Sequence, residues 1–135
     1  MHRTQDLIES VSNRLSIDSE LLARATTALA DCERASSACA AGMLADKDAD
    51  ALREAITQNL DCADVAATTA RLLVRGDDAQ RPLVTAQLGA CLIACRDAHE
   101  LCGRHAGHRE HCHICSETAQ EAAEACETLL TALTR

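Results

Sequence analysis

Proline occurs once in this chain of 135 residues, at Pro82, and that scarcity constrains the architecture more than any other feature. Ala, Leu, Glu and Arg dominate the remainder, and all four favour helix. Helix breakers fall in three places only. Residues 45–48 form a short acidic break. Gly76-Asp77-Asp78, with Pro82 just beyond, reads as a C-cap glycine followed by a new helix start. Gly103 and Gly107 bracket the third break, with Gly107 as the expected stop. The pattern predicts four long helices over roughly 17–45, 48–75, 81–105 and 108–134. Short connections make neighbouring helices antiparallel. Ahead of them, a shorter amphipathic piece with Leu7, Ile8, Val11 and Leu15 on one side is expected to cap the bundle. The expected fold is all-α, an antiparallel four-helix bundle in one domain over residues 1–135.

Such a bundle needs a core, and the usual material is missing. The chain has no Phe, Tyr or Trp, so its core is built from Leu, Ile, Val, Ala and Cys. The same lack removes the stacking groups on which nucleic-acid binders rely, and a net charge of -8 opposes a polyanionic partner. No stretch approaches the ~18 apolar residues of a membrane helix. The segment MHRTQDLIESVSNRL has no basic-then-apolar signal and no twin arginine, so the protein is expected to remain in the cytosol. Neither nucleic acid nor membrane is an expected partner.

Nine cysteines are the chemical anomaly. Cytosolic thiols are kept reduced, and an odd number cannot pair completely within one chain. Cysteine used as a small hydrophobe accounts for one or two, not nine. Their spacing is helical. Cys91, Cys95 and Cys102 share one face of the third helix, and Cys112, Cys115 and Cys126 one face of the fourth. Cys32 and Cys39 lie seven apart on the first, and Cys62 comes from the second. Inward stripes from all four helices make a thiol-lined tube, unlike the tight turns of a zinc knuckle.

Depth follows from ~1.5 Å of rise per residue, measured from the end that holds the first and third breaks. Cys102 and Cys112 fall at ~5 Å, and Cys39 and Cys115 at ~8 Å. Cys95 and Cys32 fall at ~15–18 Å, Cys62 and Cys91 at ~21 Å, and Cys126 at ~25 Å. Four thiols near the mouth are thus separated from five deeper ones. Below these, Leu22, Leu72, Leu73, Leu83, Leu88, Leu129 and Leu133 are expected to plug the tube. The open end carries His105, His108, His111 and His113 beside Cys112 and Cys115. His113 directly follows Cys112 and should point off the stripe, while His2 and His99 read as solvated groups. Thiolate suits Cu(I), zinc and iron–sulfur clusters, and imidazole suits copper, zinc and nickel.

The run Cys91-Leu-Ile-Ala-Cys95-Arg-Asp-Ala-His-Glu-Leu-Cys102-Gly-Arg-His105, then His108, His111-Cys112-His-Ile-Cys115 and Cys126, resembles the cysteine-rich four-helix-bundle copper storage proteins. Asp61-Cys62-Ala63-Asp64 and Cys39-Ala40 are similar to the same pattern, and the resemblance spans about residues 29–130. It implies a bundle holding many Cu(I) ions on internal thiolates, usually tetrameric, with cytosolic and exported forms and uptake near the His and Met end. Positions often occupied by Cys in that family are Ser36, Met43, Ala55, Ala66, Ala98, Ala119 and Ala122 here. Ser36, Ala55, Ala98 and Ala119 fall at the gap found from spacing, which suggests two discrete sites in place of a continuous lining. The thioether of Met43 still suits Cu(I) at the mouth.

The leading expectation is a protein that binds Cu(I) for storage, buffering or detoxification, with His105, His108, His111 and Met43 at the open end. One alternative is a copper-dependent enzyme, with His105, His108 and Cys112 as ligands beside a cavity opened by the alanines. Another is a tetrathiolate zinc or iron–sulfur site at Cys39, Cys102, Cys112 and Cys115.

Overall fold

A computed structural model describes residues 2–11 and 15–134, with the side chain of His2 outside the described part. Among the described residues there are five α-helices: α1 (His2–Ser10), α2 (Ser19–Leu44), α3 (Arg53–Arg75), α4 (Arg81–Arg104) and α5 (Glu110–Leu133). Helices α2 to α5 form a ring in which each packs on its two neighbours, α2 against α3 and α5, and α4 against α3 and α5. This is the expected four-helix bundle. Its core holds all nine cysteines, each free and buried, among Leu, Ala, Val and Met.

Local chemistry sets the helix ends. Asp18 opens α2, its carboxylate accepting from the Glu20 N–H at 2.8 Å. Residues Ala49–Leu52 wind as a 3-10 turn, so α3 begins at Arg53 and not near 48. Gly76 ends α3 in an extended conformation (φ -71°, ψ 156°), not the left-handed one of a C-cap glycine. Its need is space: a Cβ there would lie 2.9 Å from the Leu72 carbonyl and 3.3 Å from Leu15 and Val84. Pro82 sits in the first turn of α4, where no N–H is missed. Helix α4 stops two residues before the first residue preceding Gly107, at Arg104. His105 closes it, its N–H bonding to the Cys102 carbonyl at 3.1 Å.

One end of the bundle is sealed. Leu22, Leu29, Leu73, Leu88, Leu129 and Leu133 are buried there with Ile8, Leu15, Ile17 and Val84. Arg81 ties this end together by donating to the carbonyls of Leu133 at 2.8 Å and Leu15 at 3.4 Å. Three expected members of the apolar faces lie elsewhere. Leu83 is 50% exposed because Val84, one step of about 100° round α4, takes the inward position. Leu7 and Val11 are 56% and 52% exposed. The short α1 makes a narrow seam through Ile8 and ends at Ser10, before Val11 can extend it. Leu72 is half-buried.

The opposite end holds the α2–α3 and α4–α5 connections. Arg109 joins them, with Nε 2.8 Å from Asp46 Oδ2 and Nη2 3.9 Å from Asp48 Oδ2. The pair holds the Asp46 carboxyl down at about 2, chiefly by the Arg109 hydrogen bond. This clasp fixes the rim of the open end.

Candidate metal centre

The thiols divide between two packed regions. Cys32, Cys62, Cys91, Cys95 and Cys126 lie in the core that continues into the leucine plug. Cys39, Cys102, Cys112 and Cys115 lie in a separate cluster with Ala40, Met43, Leu52, Ala55 and Ile56. The partition agrees with the depths expected from helical rise.

Within the regions the sulfurs converge in threes. Cys32, Cys62 and Cys95 have ligand atoms all within 4.8 Å of one another, as do Cys39, Cys102 and Cys115. Cys91 extends the inner set, its sulfur 3.9 Å from that of Cys95. The third triad is Cys39, His111 and Cys112. Cys39 Sγ lies 3.3 Å from His111 Nδ1 and 3.6 Å from Cys112 Sγ. Cys39 thus belongs to two triads, and Cys112 groups with the imidazole and not with Cys102 and Cys115.

These contacts split the thiol acidities by mutual hydrogen bonding. Cys102 is held well below the ordinary thiol value, first by Cys115 and then by Cys39. Cys39 and Cys115 are pushed up in return, because ionising beside Cys102 is costly. In the inner set Cys62 is lowered by Cys32, and Cys91 by Cys126. Cys32, Cys95 and Cys126 rise correspondingly. Burial raises Cys112. Each region is a web of mutually hydrogen-bonded sulfurs, and a soft cation can take the place of the shared protons.

The family model for "Copper storage protein" matches residues 18–131, which takes in every cysteine. The chain belongs to the copper storage protein family. Solved structures of the Streptomyces lividans protein Ccsp are similar at 35% identity. One, loaded with 10 copper equivalents, matches with a TM-score of 0.89 over 95% of this chain and 98% of that one. Another, described as a cytosolic copper storage protein with five coppers, has a TM-score of 0.81 and covers 83% and 93%. No curated protein matches significantly.

The expected mouth residues occupy different situations. His111 is half-buried and part of a triad. His105 is half-buried at the end of α4, near enough to Cys102 to favour its thiolate. His108 is exposed on the rim and lines a groove with Asp46, Lys47, Asp48 and Arg109. Met43 is fully buried in the outer cluster. His113 is exposed and pairs with Glu117 at 3.2 Å. His99 is half-buried, not solvated as expected. Its Nδ1 lies 2.9 Å from both the hydroxyl and the carbonyl oxygen of Ser116, joining α4 to α5.

Two polar residues stand in the core. Ser36, fully buried, spans the gap, its Oγ 3.8 Å from Cys32 Sγ and 3.7 Å from Cys115 Sγ. Asn59, also fully buried, was not anticipated. Its Oδ1 accepts from Cys102 at 3.2 Å and Cys115 at 3.6 Å, while its Nδ2 has no partner among the described residues. The available signal was its place three residues before Cys62, on the inward face of α3.

Proposed function

We propose that this protein stores or buffers copper as Cu(I) in the cytosol, on internal thiolates of a single bundle domain that works as a homo-oligomer, a tetramer by family resemblance. One observation carries the reading: all nine cysteines are free and buried, and they are gathered into two core clusters. Cu(I) accepts two or three soft donors, and triads supply that number. Zinc prefers four tetrahedral donors. The split of Cys112 from Cys102 and Cys115 works against a tetrathiolate site. Membership of the copper storage family and the copper-loaded Ccsp structures support the same choice of metal.

In this reading the two thiol groups hold the cargo. His111, with Cys39 and Cys112, is the outermost ligand set, and His105, His108 and Met43 assist capture at the mouth. Far-end exchange is blocked by the leucine plug. The test is an anaerobic titration of the fully reduced protein with Cu(I) against a competing chelator. Several ions should be withdrawn from the chelator per chain, with thiolate–copper absorption rising in a near-ultraviolet free of aromatic background. If a chelator of ordinary affinity keeps all the copper, the function is wrong.

A further inference from the structure

Gly42 is an odd residue for its place. It lies inside α2, two residues before its last, in the run Ala40-Ala41-Gly42-Met43. Alanine would suit that backbone better, because glycine gives up more conformational freedom in a helix. Its backbone angle is not left-handed, so no turn requires it. The reason lies across the interface. A Cβ at position 42 would stand 2.9 Å from Nε2, 3.0 Å from Cδ2 and 3.1 Å from Cε1 of His111. Three ring atoms so close to one point mean that the imidazole rests on the α2 backbone at Gly42.

The seat fixes where the other ring nitrogen goes. Cys39 precedes Gly42 by three residues, so both lie on the same face of α2, one turn apart. With the ring against Gly42, Nδ1 lies 3.3 Å from Cys39 Sγ and 3.6 Å from Cys112 Sγ. Cys112 is the ring's neighbour on α5, so α2 supplies both the seat and one thiol, while α5 supplies the imidazole and the other.

We propose that Gly42 is a positioning residue for the outermost copper site, an open seat on α2 that lets the His111 imidazole complete the triad with Cys39 and Cys112. A methyl group there displaces a flexible ring, not a backbone segment, so the bundle survives while the third donor is lost. The proposal rests on the copper-holding reading above for its metal step, but its first consequence appears without metal.

The test compares Gly42→Ala with Gly89→Ala, whose added Cβ would meet nothing within 4 Å on α4. In metal-free reduced protein, Gly42→Ala should shift the His111 ring resonances in NMR spectra, and Gly89→Ala should leave them in place. Both variants should melt no lower than the parent. With Cu(I), the ion held by Cys39, Cys112 and His111 should bind Gly42→Ala about tenfold or more weakly, the range seen when support for a metal ligand is lost. That penalty should vanish in a His111→Ala background. Unshifted ring resonances, or an equal penalty with and without His111, would overturn the proposal. So would unfolding of Gly42→Ala both alone and with His111→Ala, since the glycine would then serve the helix and not the ring. If the parent binds no copper while the ring shift appears, the functional reading fails and the seat stands.

Discussion

A buried thiol keeps its proton until a neighbour or a metal makes the thiolate worth forming. Cys32, Cys39, Cys95, Cys112, Cys115 and Cys126 are all pushed above the ordinary thiol value. In the unfolded chain they ionise near ~8.5. Below that pH both states keep these protons, and the contribution to stability is fully present. As pH rises past it, the unfolded chain sheds protons that the folded chain retains, and stability falls. The melting temperature of the metal-free, reduced protein should therefore drop between pH ~8 and ~10. The copper-loaded protein, its thiolates already formed, should show a much smaller drop. Equal pH profiles for the two forms would contradict the burial of uncharged thiols. Sequence spacing located these cysteines well, because a helix fixes the face on which each lies. It missed Asn59 and the hydrogen bonds of His99, because which polar group meets a thiol or a serine depends on how two helices are rotated against each other.

Helices α2 to α5 carry enough apolar burial to stand without metal. The leucine plug forms a metal-free stretch of core, with Leu22, Leu88 and Leu129 fully buried. Metal-free protein should give a helical circular dichroism spectrum and a cooperative melt, unlike a zinc finger that folds only with its ion. Leu88→Ala should cost ~2–5 kcal/mol by opening a cavity in the plug. Copper binding at Cys39, Cys112 and His111 should be unchanged at temperatures where the variant is folded. A metal-free chain that is coil until copper is added would refute this. The four long helices were legible because breakers are so few. The errors sit at the ends. The 3-10 turn at Ala49–Leu52, the extended Gly76 and the outward Leu83 each depend on contacts between elements, which a pattern along one element does not contain.

At the scale of the whole molecule, the bundle is a tube sealed by leucines at one end and clasped by Arg109 and Asp46 at the other. Between them lie two thiol regions, with Ser36 touching a sulfur of each, Ala55 buried in the outer region and Ala98 and Ala119 buried in the inner one. The gap was readable from ~1.5 Å of rise per residue alone, because straight antiparallel helices keep axial distances. The convergence of His111 on Cys39 and Cys112 was not, since it joins two helices through a seat at Gly42. The central claim is that copper occupies these two regions separately. The most direct measurement is anomalous diffraction at the copper edge from crystals loaded anaerobically with Cu(I). The account predicts copper in two groups, one on Cys32, Cys62, Cys91, Cys95 and Cys126 and one on Cys39, Cys102, Cys112, Cys115 and His111, with no ion shared by thiols of both. An unbroken copper chain through the level of Ser36, or copper confined to exposed histidines, would contradict it.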